Sequence, residues 1–205
     1  MTGVQTCALP ISLPGLTNKQ IQSLSTRNVA ALTTEQVAAL STSQLNAMSG
    51  GQLNNLTSAQ VNALTSDQLP ALRASGVAAL NTQRMATVST TQIAGLTTKQ
   101  IQALTTDQMV SLIDSQIAAM GNDQVASLKA NQLRAIETRD IQGLTTGQVV
   151  ALGTAQMAAL TTSQVTALST AQIAAIETAD LAAMTSAQVA ALSSTQVQAL
   201  TTDQV

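Results

Sequence analysis

The chain has 205 residues, a formal net charge of −2, no aromatic residue, no histidine and one cysteine. Zinc sites of the usual kind and Ser-His-Asp or Cys-His nucleophile systems are therefore excluded. The near-neutral balance argues against a general electrostatic attraction to nucleic acid or to an anionic membrane.

The first residues, Met1-Thr2-Gly3-Val4-Gln5-Thr6-Cys7-Ala8-Leu9-Pro10-Ile11, match nothing that follows. They resemble the translation of a common short-read sequencing adapter, read through in frame. A truncated signal peptide is the competing reading, but the basic n-region is missing and the apolar run is very short. Residues 1–12 are expected to be a non-native, adapter-derived leader. Cys7 belongs to it, so the redox compartment is unreadable beyond the lack of a disulfide framework. The natural chain is then expected to start upstream, and Val205 stops in mid-repeat. Residues 13–205 are expected to form one solenoid that is a fragment of a longer chain.

From Leu16 to Val205 an octapeptide recurs without insertion or deletion. An unbroken period of this kind fixes the architecture before any other feature. With positions a to h and a at Leu16, position a is always apolar and f is always Val, Ile, Leu or Met. Position e is Gln in 19 of 24 octads, the exceptions being Asn28, Gly76, Arg84, Asp140 and Asp180. Position h is small, and b and c are mostly Thr or Ser.

Thr or Ser at b with Gln three residues later is the capping-box pattern. It predicts one short helix of about two turns per octad, with f and a on the same side. The small h residue lets a neighbouring helix approach closely. A single long helix is disfavoured, because eight residues leave a drift of about 80° per repeat and no fixed apolar stripe. A β-solenoid is the alternative, although its coils want period-2 alternation and Gly, Asn or Asp corners.

One octad cannot stand alone. Burying a and f contributes roughly 1.5–3 kcal/mol each, whereas ordering eight residues costs on the order of 8–16 kcal/mol of backbone entropy. Each unit must bury its faces against the units before and after it, which is the logic of a solenoid held by nearest-neighbour contacts. The predicted fold class is all-α, an α-solenoid or superhelix of very short capped helices. Gln36, Gln44, Gln60, Gln164 and Gln172 are expected to act with Thr33, Ser41, Thr57, Thr161 and Ser169 as reciprocal caps. Position d, which carries Lys19, Arg27, Glu35, Asp67, Lys99, Asp107, Asp123, Arg139 and Asp203, is the expected solvated face.

Two stretches break the pattern. Pro70 falls inside a predicted helix, where it removes a hydrogen bond and crowds the preceding turn. The next octad lacks its cap at b and has Gly76 at e, so Pro70 to Gly76 is a candidate joint or a tolerated degenerate repeat. From Ile113 to Asp140, Ile113, Lys129 and Glu137 occupy b and cannot cap. Asp114, Asn122 and Thr138 at c are expected to cap instead, shifting the helix start by one. Glu137 and Asp140 flank Arg139 and read as a local salt-bridged corner. All eight basic residues precede Asp140, and only acidic charges follow.

Leu144-Thr145-Thr146-Gly147-Gln148-Val149-Val150-Ala151-Leu152 resembles the first helix of a TAL-effector repeat. That family closes its unit in about 34 residues with a second helix and a base-reading loop, both absent here, so the resemblance implies a capped helix and no DNA reading. Residues 16–205 as a whole are similar to the Leu-Thr-Thr-x-Gln-Val-Ala-Ala octapeptide arrays of very large bacterial secreted or surface proteins. This resemblance implies an extracellular or cell-surface spacer or adhesin stalk without a defined ligand.

No residue is nominated as catalytic, cofactor-binding or metal-ligating, and no cofactor or enzymatic role is expected. No apolar run is long enough to span a membrane. The leading expectation is a structural spacer or interaction solenoid. The partners expected are an unidentified protein or surface and the flanking domains of a longer chain, without nucleic acid or membrane insertion. Alternatives are a peptide-binding groove on the concave side, ice or mineral binding by arrayed Thr hydroxyls, and TAL-like nucleic-acid binding. The last would need a basic stripe, which residues 140–205 lack.

Overall fold

The computed structural model describes residues 15–205. The expected leader, residues 1–12, lies outside them. The described residues form 22 short α-helices and no strand, from α1 (Asn18–Ser23) to α22 (Ser194–Gln198). Each helix occupies one octad and runs four to six residues. One internal octad departs from this. Between α15 (Ala130–Ala135) and α16 (Thr146–Val150), the chain forms the 3-10 turn Ile141–Gly143.

The capping box sets the helix starts. The Thr33 hydroxyl accepts from the Gln36 N–H at 3.2 Å, and the Thr33 N–H donates to Gln36 Oε1 at 2.8 Å. The pairs Ser41–Gln44, Thr57–Gln60, Thr161–Gln164 and Ser169–Gln172 do the same. The b residue is extended, as at Thr33 with φ −75° and ψ 162°, so the chain leaves helical geometry once per octad. This is why Thr and Ser sit there: their hydroxyls satisfy orphan donors that would otherwise face no partner.

The shift of helix start expected at the uncapped octads does not occur. Ile113, Gly121 and Lys129 remain the N-cap residues of α13 (Asp114–Ala118), α14 (Asn122–Ala126) and α15. Their backbone N–H groups still donate to Oε1 of Gln116, Gln124 and Gln132, at 3.0, 2.7 and 3.0 Å. The glutamine half of the box needs only a backbone N–H, which any residue except proline supplies. Thr138 caps no helix either, since its octad folds as the 3-10 turn.

The a and f residues from Ile21 to Met184 form one continuous core, whereas the last three f residues, Val189, Val197 and Val205, are exposed. Val37, Leu56, Ile93, Met109, Val149 and Ile173 are all fully buried. The d-position charges are exposed. The octads do not stack on their immediate sequence neighbours, however. Helix α1 packs on α4 (Thr42–Ala47), α4 on α7 (Gln68–Ala71), and α8 (Ala74–Ala78) on α11 (Thr98–Ala103). The same third-helix relation continues to α19 (Thr170–Ala174) and α22. The stacking unit is therefore a coil of several octads. Helices of about one turn, separated by extended residues, follow one another round the coil before the chain meets itself.

Position h makes the close approach expected of it. A Cβ on Gly50 would lie 3.3 Å from the Cβ of Ala79, an h residue one coil later. A Cβ on Gly143, also at h, would come within 2.4 Å of the Asp114 carbonyl oxygen. Only glycine lets the two backbones approach this closely.

Packing runs straight through the candidate joint. Pro70 lies within α7, and its missing N–H forfeits one intrahelical bond. Its ring faces Gly95, where a Cβ would meet Pro70 Cγ at 3.2 Å. Helix α7 packs on α10 (Thr90–Gly95) as its counterparts pack elsewhere.

Candidate functional site

The organising feature of the coil is a slot occupied by the e-position side chain. A helix leaves its last carbonyls without intrahelical donors. Here the donors come from the next coil. Gln52 Nε2 donates to the carbonyls of Ile21 at 2.8 Å and Leu24 at 2.8 Å. Gln100 does so to Leu69 and Leu72, at 3.0 and 2.8 Å, and Gln164 to Leu133 and Ile136, at 2.9 and 2.8 Å. Every e-position glutamine from Gln44 to Gln204 reaches the a-position carbonyl 28 residues earlier. Most also reach the f-position carbonyl 31 residues earlier, as Gln148 does with Ile117 at 3.0 Å.

One amide thus serves two helix ends. Its oxygen accepts from the N-terminus of its own helix, and its nitrogen donates to the C-terminus of a helix on the preceding coil. The coil closes in between three and four octads. All of these glutamines except Gln156 and Gln204 are buried, Gln100, Gln132, Gln148 and Gln164 to 1% exposure, so an unmet partner would cost about 1–3 kcal/mol.

Sequence reasoning placed the cap and missed the cross-coil bond. The signal was present: position e has 19 Gln and no Glu. A glutamate serves a capping box as well as a glutamine does. Only the amide can donate as well as accept.

The exceptional e residues test the rule. Arg84 donates from Nε to the Leu56 carbonyl at 2.6 Å, 28 residues earlier, with a different group. Asp140 and Asp180 put buried carboxyl groups in the slot, at 5% and 4% exposure. Asp140 accepts from Arg139 Nε at 3.3 Å, and Arg139 also meets Glu137 at 2.7 Å. This is the corner that the sequence suggested. Asp180 has no such cation beside it. Burial, and then the negative charge of Glu177, push its carboxyl above the ordinary 3.8.

Open clefts lie between coils. One of about 700 Å³ is lined by Val110, Arg134, Ile136, Glu137, Arg139 and Thr161, beside the 3-10 turn. Arg134 Nε donates to the Ala159 carbonyl at 2.8 Å, and Arg139 is held by its two carboxylates. Arg134 thus ties two octads together, whereas the exposed Arg139 pairs only within its own octad. Two smaller clefts, of about 290 and 490 Å³, lie beside Asn46 and Arg73 and beside Thr97 and Asn122. Among the described residues no helix is long and apolar enough to cross a membrane.

A family model described as the ALTTAQ repeat matches residues 13–42, 38–74, 77–114, 133–170 and 173–205. No curated protein matches the chain.

Proposed function

The chain belongs to the ALTTAQ repeat family, and from that premise we propose that it is a structural spacer or interaction solenoid within a large bacterial secreted or surface protein. The observation that carries this reading is the cross-coil glutamine bond. It recurs in nearly every octad from Gln44 to Gln204, so each coil is welded to the next by the same chemistry. Such an array extends by adding octads without new design, and its length scales with repeat number.

The non-enzymatic reading rests on the same uniformity. The slot glutamines are occupied in closing helix ends, and the cleft guanidinium groups are engaged by carbonyls and carboxylates. The cap-forming hydroxyls at b accept from the e-position N–H, which leaves fewer of them to face an ice or mineral surface.

Small-angle X-ray scattering on the whole chain and on versions lengthened by whole octads tests the proposal. The expected result is an elongated particle whose maximum dimension grows in proportion to the octads added. A compact particle whose dimension grows only as the cube root of mass sinks it. An interaction role is sought at the cleft by Arg134 and Val110, with immobilised chain exposed to a peptide library as the probe.

A further inference from the structure

We propose that Asp180 makes the C-terminal coil an acid-tightened joint, closed when its carboxyl is neutral and loosened when it is ionised. Asp180 stands at position e of α20 (Thr178–Ala182), in the slot that glutamine fills elsewhere, and is 4% exposed. Helix α20 packs on α17 (Thr154–Ala159), as the third-helix relation of octads requires. The carbonyls that a glutamine at 180 would meet are those of Val149 and Leu152, 31 and 28 residues earlier. Among the described residues no side chain donates to either. A carboxylate cannot donate, since it is an acceptor only. A neutral carboxyl carries one O–H and no charge, which makes it the nearest acidic equivalent of the glutamine amide.

No cation compensates the ionised form, and only the place of Asp180 in the first turn of the five-residue α20 favours it. Glu177 lies three residues before Asp180, at the N-cap of the same helix. The last octad brings Asp203, whose backbone carbonyl accepts from Thr178 Oγ1 at 3.2 Å. Helix α17, the segment 149–153 and α21 (Ser186–Ala190) carry no charged side chain. Arg134 bonds the Ala159 carbonyl, at the far end of α17. From Asp140 to Val205 there is no Lys or Arg at all. Asp140, the other aspartate in a slot, differs in having Arg139 beside it.

The direction follows from linkage. A carboxyl whose proton is held more tightly in the folded than in the unfolded chain stabilises the fold fully at low pH. That contribution is lost as pH rises from the ordinary 3.8 through the folded value. Burial and the Glu177 charge act in this direction at Asp180.

Hydrogen exchange of the whole chain, corrected for intrinsic rates and compared at about pH 4 and about pH 7, tests the joint. Protection of α20 to α22 is expected to fall on going to the higher pH by about tenfold for each unit of difference. Protection of α10 to α12 (Thr106–Val110), which have glutamine in the slot, serves as the internal reference. Asp180→Gln and Asp180→Asn are expected to abolish the difference, with the glutamine variant as protected at neutral pH as the wild type is in acid. An unchanged ratio between the two regions across pH overturns the proposal, as does an Asp180→Asn variant that keeps the wild-type dependence. Should either variant fail to fold, carbon-13 titration of the Asp180 carboxyl in the wild type decides. A midpoint at or below 3.8 overturns the proposal.

Discussion

Asn46 and Arg73, 27 residues apart, do together part of what one glutamine does in other octads. Gly76 leaves the slot of its coil empty. The N–H of Arg73, at position b, would have met the oxygen of a glutamine at 76, and it donates to Asn46 Oδ1 at 2.8 Å instead. The Arg73 guanidinium donates to the Asn46 carbonyl, one of those that a glutamine amide would reach. Asn46 Nδ2 in turn donates to the Ala71 carbonyl at 2.6 Å. The oxygen half of the lost side chain is thus replaced, and the donor half in part, since among the described residues no side chain donates to the Leu45 and Met48 carbonyls.

This pair is expected to be coupled. A double-mutant cycle on Asn46→Ala and Arg73→Ala, measured by urea unfolding, should give a coupling of about 1–2 kcal/mol, as for residues in one hydrogen-bond network. Additive single effects would mean that the two residues fill the gap independently.

Gln148→Glu separates the cap from the cross-coil bond. The glutamate keeps an oxygen for the Thr145 N–H, which Gln148 meets at 2.7 Å. It loses the donor to the carbonyls of Ile117 and Met120, met at 3.0 and 2.6 Å, and buries a charge against them. A loss of about 3 kcal/mol or more is expected at neutral pH, partly recovered in acid. A near-neutral effect in thermal unfolding would show that capping alone selects residue 148.

The two close-approach glycines should differ in cost. Gly143→Ala drives a methyl group into the backbone of Asp114, which cannot swing aside, and should cost about 1–3 kcal/mol. Gly95→Ala meets the edge of the Pro70 ring and the Ser66 carbonyl at longer distances, so its melting temperature should fall less. Adding Pro70→Ala to Gly95→Ala should return most of that loss. Equal losses for the two single variants would contradict the approach distances.

Glu35 and Asp180 should titrate in opposite directions. The Glu35 carboxylate is held below its ordinary 4.5 by a hydrogen bond from its own backbone N–H, then by the hydroxyls of Thr33 and Thr34. Its contribution to stability is present above the unfolded value and lost as pH falls through the folded one. Carbon-13 carboxyl titration should place Glu35 below 4.5 and Asp180 above 3.8. Glu35→Gln should flatten only the acid limb of the stability curve, and weakly, because the side chain is solvated.

The octapeptide by itself determined the helix starts, the core and the solvated face. Those are local matters: Thr33 and Gln36 are three residues apart, and a capping box closes within that span. The a and f residues face one side because of helical spacing. The salt-bridged corner at Glu137, Arg139 and Asp140 was legible for the same reason. What the octad could not determine was which octads meet. Its positions are alike from copy to copy, so pattern alone does not say whether Gln52 meets Ile21 or some other f residue. Nearest-neighbour stacking was the simplest expectation, and the coil replaced it with the third helix on and a carbonyl 28 residues back. The curvature accumulated over several caps and extended b residues decides that distance, and it exists only in three dimensions. The same holds for Asn46 with Arg73, Pro70 with Gly95, and Asp180 in a glutamine's slot, where the tertiary structure gives each irregular residue its consequence.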